Sequence, residues 1–252
     1  MTAFEFTSSS KTSVGNVRTV NEDACIDSIQ NGIWAVADGM GGHQSGDLAS
    51  RLITQSLAGI KQENTLEETI GKVKDCLIST NLFLLDEASL RKGNQTIGST
   101  VVVFITFNHQ CAVLWVGDSR LYRLRKNTLE LITSDHSQVQ ELVDLGLLLP
   151  EDAESHPSAN VITRAVGASS TLEIDDKQFN MQEGDTFLLC SDGLYKELNE
   201  SEIATILMQH PTKKACDELI DTALRKQCRD NVTVIVIAAL VAEKTILRCD
   251  TE

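Results

Sequence analysis

Four aspartates stand where short apolar runs of the chain meet polar residues. Residues 33–37 run straight into Asp38-Gly39-Met40-Gly41-Gly42-His43, residues 112–116 into Gly117-Asp118-Ser119-Arg120, and residues 187–190 into Ser191-Asp192-Gly193. The fourth case is reversed, with Asp230-Asn231 directly before the apolar residues 232–239. In antiparallel sheets the end of one strand and the start of its neighbour share an edge, so these carboxylates can meet at one rim. Like charges within a few ångströms raise each other's pKa values and oppose ionisation. Divalent cations relieve that repulsion. An all-oxygen ligand set, completed by backbone carbonyls and water, suits Mg²⁺ or Mn²⁺ better than zinc, which prefers His and Cys. Glycine after Asp38 and after Asp192 lets the backbone turn tightly and bring a carbonyl close to an ion. An Asp-Gly pair is also a common turn signal, so any one of these taken alone reads as a turn. Their repetition at four strand ends points to an ion without naming a reaction.

The elements that must position these residues are legible in outline. Residues 33–37, 100–107, 111–116, 121–124, 186–190 and 232–239 are rich in Val, Ile, Phe and Trp, are bounded by Gly, Asp or Asn, and read as strands. Asn108-His109-Gln110 reads as a hairpin connection between two of them. Helices are expected from Leu48 to about Ile60 with Asp47 as cap, over 66–90, and from a Thr212 cap onward with Cys216, Leu219, Ile220, Ala223 and Gln227 on the inner side. Residues 136–167 read as a helix followed by an irregular loop, inserted between strand groups. Strands come in groups and do not alternate strictly with helices, which excludes a parallel doubly wound sheet. The expected class is α+β, with antiparallel sheets packed together and helices outside.

Composition narrows the function classes. The 252 residues carry 22 basic and 36 acidic side chains, a formal net charge of −14, which argues against nucleic acid or an anionic membrane as partner. No apolar run approaches the roughly 20 residues of a membrane span. The first ten residues lack the layout of a secretory signal. The seven cysteines are scattered with no CxxC spacing, which fits reduced thiols in a cytoplasmic protein. A single domain over 1–252 is the expectation at this length.

Eight blocks carry more specific information. They are Gly15-Asn16-Val17-Arg18-Thr19-Val20-Asn21-Glu22-Asp23, Ala35-Val36-Ala37-Asp38-Gly39-Met40-Gly41-Gly42-His43, Gly98-Ser99-Thr100 and Val116-Gly117-Asp118-Ser119-Arg120. Thr133-Ser134-Asp135-His136-Ser137, Ile162-Thr163-Arg164-Ala165-Val166-Gly167, Leu189-Cys190-Ser191-Asp192-Gly193-Leu194 and Arg229-Asp230-Asn231-Val232-Thr233 follow in order. Together they cover roughly residues 11 to 240, and the chain resembles bacterial metal-dependent Ser/Thr protein phosphatases of the 2C type. The resemblance implies a four-layer α-β-β-α sandwich of two antiparallel sheets flanked by helices. It also implies a two-metal centre that hydrolyses phosphoserine and phosphothreonine with a metal-activated water.

Residue roles follow from the same resemblance. Asp38 would bridge two Mn²⁺ or Mg²⁺ ions and the Gly39 carbonyl would ligate one. Asp192 and Asp230 would hold the first ion, and Glu22 would act on the second through water, with Asp23 in the surrounding shell. Asp118 with Asp192 resembles the ligands of a weaker third site found in bacterial members. Arg18 is placed to fork two N–H bonds onto the phosphate, which Lys could not do. Two cations about 3.5–4 Å apart can share a water and lower its pKa. Some members carry a histidine directly after the first Asp-Gly as acid for the leaving alkoxide. Here that place is Met40, and His43 is the nearest candidate. His136 and His156 are candidates for meeting substrate, and residues 136–167 match the family's flap beside the active site. The implied partners are phosphorylated proteins and a cognate Ser/Thr kinase, with a monomer as the expected state. A phosphoprotein-binding module without turnover and a hydrolase of small phosphate esters stay open as alternatives.

Overall fold

The apolar runs form strands that are buried on both faces, and each face meets a different layer. In the run Ile33–Met40, Ile33, Ala35 and Ala37 pack against helices, while Trp34 and Val36 face a second sheet. Val101, Val103 and Ile105 alternate in the same way with Val102 and Phe104. In the second sheet Val232, Val234 and Val236 face helices while Ile235 and Ile237 face inward. Side chains of a strand alternate between faces, so a strand covered on both sides needs an unbroken apolar run, whatever its neighbours' direction.

The computed structural model describes residues 4–41, 45–91, 96–153 and 155–241. The chain begins with β1 (Phe4–Ser13), β2 (Asp23–Ser28) and β3 (Ile33–Met40), followed by α1 (Ser45–Ala58) and α2 (Leu66–Leu90). Next come β4 (Gly98–Ser99), β5 (Val101–Phe107), β6 (Gln110–Val116), β7 (Arg120–Arg125), β8 (Thr128–Leu131) and α3 (Gln138–Asp144). The last part holds β9 (Asp175–Asn180), β10 (Thr186–Cys190), the single turn α4 (Asp192–Tyr195), α5 (Glu200–Gln209), α6 (Thr212–Arg225) and β11 (Val232–Val241). One sheet has the order β1-β11-β10-β7-β8 and the other β2-β3-β5-β6-β9, with β4 paired to β3. All pairings are antiparallel. Helices α1 and α2 cover one sheet and α5 and α6 the other, giving the α-β-β-α layering. Among the described residues no helix is long and apolar enough to cross a membrane.

Between the sheets lies an aromatic layer. Phe104 sits with its ring centroid 4.5 Å from Phe187 of the opposite sheet and 5.9 Å from Trp34, which in turn stands 5.6 Å from Phe6. This layer holds the two sheets at one spacing, and hence holds their edges in register.

Several local expectations are corrected. Asp47 lies inside the first turn of α1, paired with Arg51, because the helix already begins at Ser45. The cap of α6 is Pro211, whose extended backbone precedes Thr212, and Gln227 lies past the helix end with φ 67°. The strand β3 continues through Asp38-Gly39-Met40, because Gly39 and Met40 pair with Ser99 and Gly98. This Asp-Gly pair is strand, not turn. Five of the described strands escape the apolar-run reading: β1, β2, β8, β9 and the two-residue β4.

Phe104→Ala would open a cavity in the middle of the packed layer between the two sheets. The expected loss is about 3–5 kcal/mol in urea denaturation, and a loss below about 1 kcal/mol would contradict the spacer role of this layer.

Candidate active site

The end of β3, the turn after β6, the end of β10 and the start of β11 open on one cleft of about 800 Å³. Its lining includes Asp38, Asp118, Asp192 and Asp230, the four aspartates at the strand rims, together with Arg18, Glu22 and Gly39. His43 lies outside the described residues. His136 and His156 do not line the cleft. His136 is buried, stacked on Trp115 with a centroid distance of 6.0 Å, and its Nδ1 accepts from the Gly117 N–H at 3.1 Å. Burial lowers its pKa, which suits the neutral acceptor it has to be. It therefore positions the turn that carries Asp118 instead of meeting substrate.

Each carboxylate is held from behind by backbone contacts. Thr100 N donates to Asp38 O at 2.9 Å, Ser99 Oγ donates to the same oxygen at 2.8 Å, and Asp38 N donates to Thr100 Oγ1 at 3.2 Å. The Gly98-Ser99-Thr100 block thus clamps the strand at Asp38. Gly39 is required by close approach: a Cβ there would lie 2.2 Å from Gly46 O and 2.6 Å from Glu22 O. Gly193 is required likewise, since a Cβ would lie 2.0 Å from Asn231 O, and this contact brings Asp192 beside Asp230. Tyr195 Oη donates to Asp118 O at 3.1 Å, and the Arg120 guanidinium, 3.5 Å above the Tyr195 ring, is forked onto Asp135.

The electrostatics are those of crowded acids. Asp38 is pushed well above the usual carboxylate range, first by burial and then by Asp23, Asp192, Asp118 and Asp230. Asp118 is pushed up to about 7 by burial, with Asp192 and Asp135 adding to it. Asp23, opposite Asp38 in the β2–β3 register, is also pushed up to about 7 by burial, although its Oδ2 accepts from Thr233 Oγ1 at 2.7 Å and Ser191 Oγ at 2.8 Å. Those two bonds tie one sheet to the other beneath the cleft. Three carboxylate oxygens, Glu22 Oε1, Asp23 Oδ1 and Asp192 Oδ1, are buried without a hydrogen-bond partner. A buried oxygen acceptor left unpaired costs about 1–3 kcal/mol, more for a charged group, unless a cation or water satisfies it. The donor set is all oxygen, which fits Mg²⁺ or Mn²⁺.

The carboxylates are not drawn into a closed cage. Among the described residues no group of three or more His, Cys, Asp or Glu side chains converges closely enough to hold an ion as the side chains stand. Two of the acids are instead held by protein cations. Arg18 Nη2 bonds Asp230 Oδ2 at 2.8 Å and Lys196 Nζ bonds Asp192 Oδ2 at 2.5 Å. Arg18, read as a phosphate contact, therefore stands on the cleft wall with a carboxylate for partner.

Asn160, Lys196 and Asn231 are among the cleft-lining residues to which the sequence assigns no role. Asn231 is buried, and its Oδ1 accepts from the Glu22 N–H at 2.8 Å while its Nδ2 donates to Val14 O and Val20 O, each at 3.0 Å. It ties the loop bearing Arg18 and Glu22 to the start of β11. Its adjacency to Asp230 was the only sequence signal. Asn231→Ala would leave three backbone groups without partners, and a loss of about 1–3 kcal/mol in urea denaturation is expected. Asn231→Asp, which keeps the acceptor and loses both donors, should also be less stable than wild type; full stability in both variants would contradict the tether.

A family model described as Protein phosphatase 2C matches residues 12–231. The chain is 34% identical to the serine/threonine phosphatase stp of Listeria welshimeri, with the match covering 93% of this chain and 96% of that protein. Among solved structures, PppA, a key regulatory component of T6SS in Pseudomonas aeruginosa, superposes with a TM-score of 0.89 at 40% identity, covering 95% of this chain and 100% of that one. The catalytic domain of the serine/threonine protein phosphatase PstP in complex with two manganese ions superposes with a TM-score of 0.84 at 30% identity, covering 94% and 99%. A cleft of crowded, backbone-clamped carboxylates on this sandwich, matched over nearly its whole length, places the chain in the protein phosphatase 2C family of serine/threonine phosphatases.

Proposed function

We propose that the chain hydrolyses phosphoserine and phosphothreonine in proteins at a centre of two Mn²⁺ or Mg²⁺ ions. The observation that carries this reading is the set of buried, partnerless carboxylate oxygens around Asp38 in an open cleft with an arginine on its wall. Asp38 and the Gly39 carbonyl, with Asp192 and Asp230, would hold the ions, and Glu22 would act through water. When bound, two such ions supply charge neutralisation for phosphoryl oxygens and a water acidified enough to attack near neutral pH. The likeness to the manganese-bound PstP domain supports the count.

The chain's own residues divide the remaining tasks. Asn231 sets the position of Glu22, and the Gly98-Ser99-Thr100 clamp sets that of Asp38. The Arg18 guanidinium exchanges Asp230 for phosphoryl oxygens, presenting two N–H groups in a planar fork. His43 supplies the proton for the leaving Ser or Thr oxygen, a role carried by its place after Gly41-Gly42 in the sequence alone. Residues 136–167 act as a flap, closed at their base by the Ser137–Ile162 bridge, with Asn160 and Ile162 on the cleft lining and Leu145, Leu147 and Leu149 exposed. The chain opposes a Ser/Thr kinase in signalling, as a monomeric cytoplasmic protein of one domain. The buried free thiols Cys111, Cys190, Cys216 and Cys228 support a reducing compartment.

Phosphate release from a phosphothreonine peptide should require Mn²⁺ or Mg²⁺ and stop on chelation. Asp192→Asn should lower kcat at least about a hundredfold. Arg18→Lys should raise KM about tenfold by losing one charge-assisted bond. A folded wild type that releases no phosphate from such peptides with either ion would remove the active-enzyme reading, and release only from small esters would redirect it.

A further inference from the structure

The two oxygens of Asp192 have different surroundings. Oδ1 is buried and partnerless, whereas Oδ2 accepts from Lys196 Nζ at 2.5 Å. Lys196 lies four residues on, at the end of the single turn α4, where its N–H bonds Asp192 O at 3.1 Å. One helical turn therefore sets the ammonium over the carboxylate, in the favourable order with the acid first. The same Nζ donates to Asn160 Oδ1 at 2.7 Å, and Asn160 belongs to the 136–167 segment. Asp118 lines the same cleft, close enough for the ammonium charge to act on it.

A weaker third ion held between Asp118 and Asp192 is implied by the resemblance, and the residues present do not fit it. One oxygen of Asp192 is left for the two-ion centre, and the other is held by a cation of the chain itself. A divalent ion at that place would have to displace the ammonium or stand against its charge. We propose that Lys196 takes the place of the third divalent ion. Its ammonium neutralises the Asp118–Asp192 side of the cleft and, through Asn160, fastens the 136–167 segment to the cleft wall, so the chain takes two ions. A tethered cation is present at every metal concentration, so this side of the cleft stays neutralised when free Mn²⁺ is scarce. The inference rests on the two-metal reading above.

Equilibrium dialysis of the full chain against Mn²⁺ up to millimolar levels, with metal counted by elemental analysis, tests it. Wild type and Lys196→Arg should saturate at two ions, and Lys196→Gln should take a third. Amide exchange across residues 155–163 should be about tenfold faster in Lys196→Gln, as for loss of one restraining bond. Asn160→Ala, which leaves the ammonium on Asp192, should hold two ions and show the same faster exchange, and so keeps the test open if Lys196→Gln does not fold. Three ions on wild type, a folded Lys196→Gln that stops at two, or unchanged exchange in Asn160→Ala would overturn the proposal. Fewer than two ions on wild type would overturn the metal centre itself and this inference with it.

Discussion

Mutual repulsion among carboxylates that the fold will not let separate is the constraint on which the rest of this structure depends. Asp38 has Asp23 opposite it in the strand pairing and Asp118, Asp192 and Asp230 close enough to raise its pKa, in surroundings that already disfavour charge. Left to themselves these acids would move apart or take up protons. They are prevented from moving apart by strands whose two faces are both packed, so that shifting a rim means disturbing the helices on one side and the aromatic layer on the other. The free energy stored in the crowding becomes affinity for cations.

The second layer of residues makes the crowding specific. Asn231 joins the Glu22 loop to β11, Asp23 joins the two sheets through Ser191 and Thr233, and His136 holds the turn before Asp118. Glycines 39 and 193 allow backbone approaches that any side chain would block. None of these groups would need to touch a phosphoprotein. They convert a sheet edge into a site by fixing where each carboxylate starts. Arg18 and Lys196, the cations on the cleft wall, pair with Asp230 and Asp192 of the acidic rim.

The sequence made the centre of each sheet legible and left the edges unread. Strands β3, β5, β6, β7, β10 and β11 are all interior or flanked on both faces, and their unbroken apolar runs announce them. Of the missed strands, β1, β2, β8 and β9 are the edge strands of the two sheets, and β4 is a two-residue strand paired with β3. Edges carry polar and charged residues such as the Ser-rich β1 and Asp175-Asp176-Lys177-Gln178 in β9, because exposed edges must resist pairing with other chains. The aspartates at the rims were readable because each interrupts an apolar run, and the structure gathers all four on one cleft. Asn231 and Lys196 were not, since a side chain that acts through another residue leaves no pattern of spacing. His136 misled the reading because a histidine next to a candidate flap looks the same in sequence whether it faces substrate or a backbone N–H.

The central claim is most directly tested by thermal unfolding of Asp38→Asn near neutral pH, with and without Mn²⁺. Asn keeps the shape of the side chain and removes the charge at the middle of the cluster. The folded-state pKa of Asp38 lies above its unfolded value, so its penalty on folding grows as pH rises above the ordinary carboxylate range. The metal-free variant should therefore melt above metal-free wild type, while the rise in Tm that Mn²⁺ gives wild type should be lost. A metal-free variant that melts lower than wild type, or one that keeps the full Mn²⁺ response, would contradict the account.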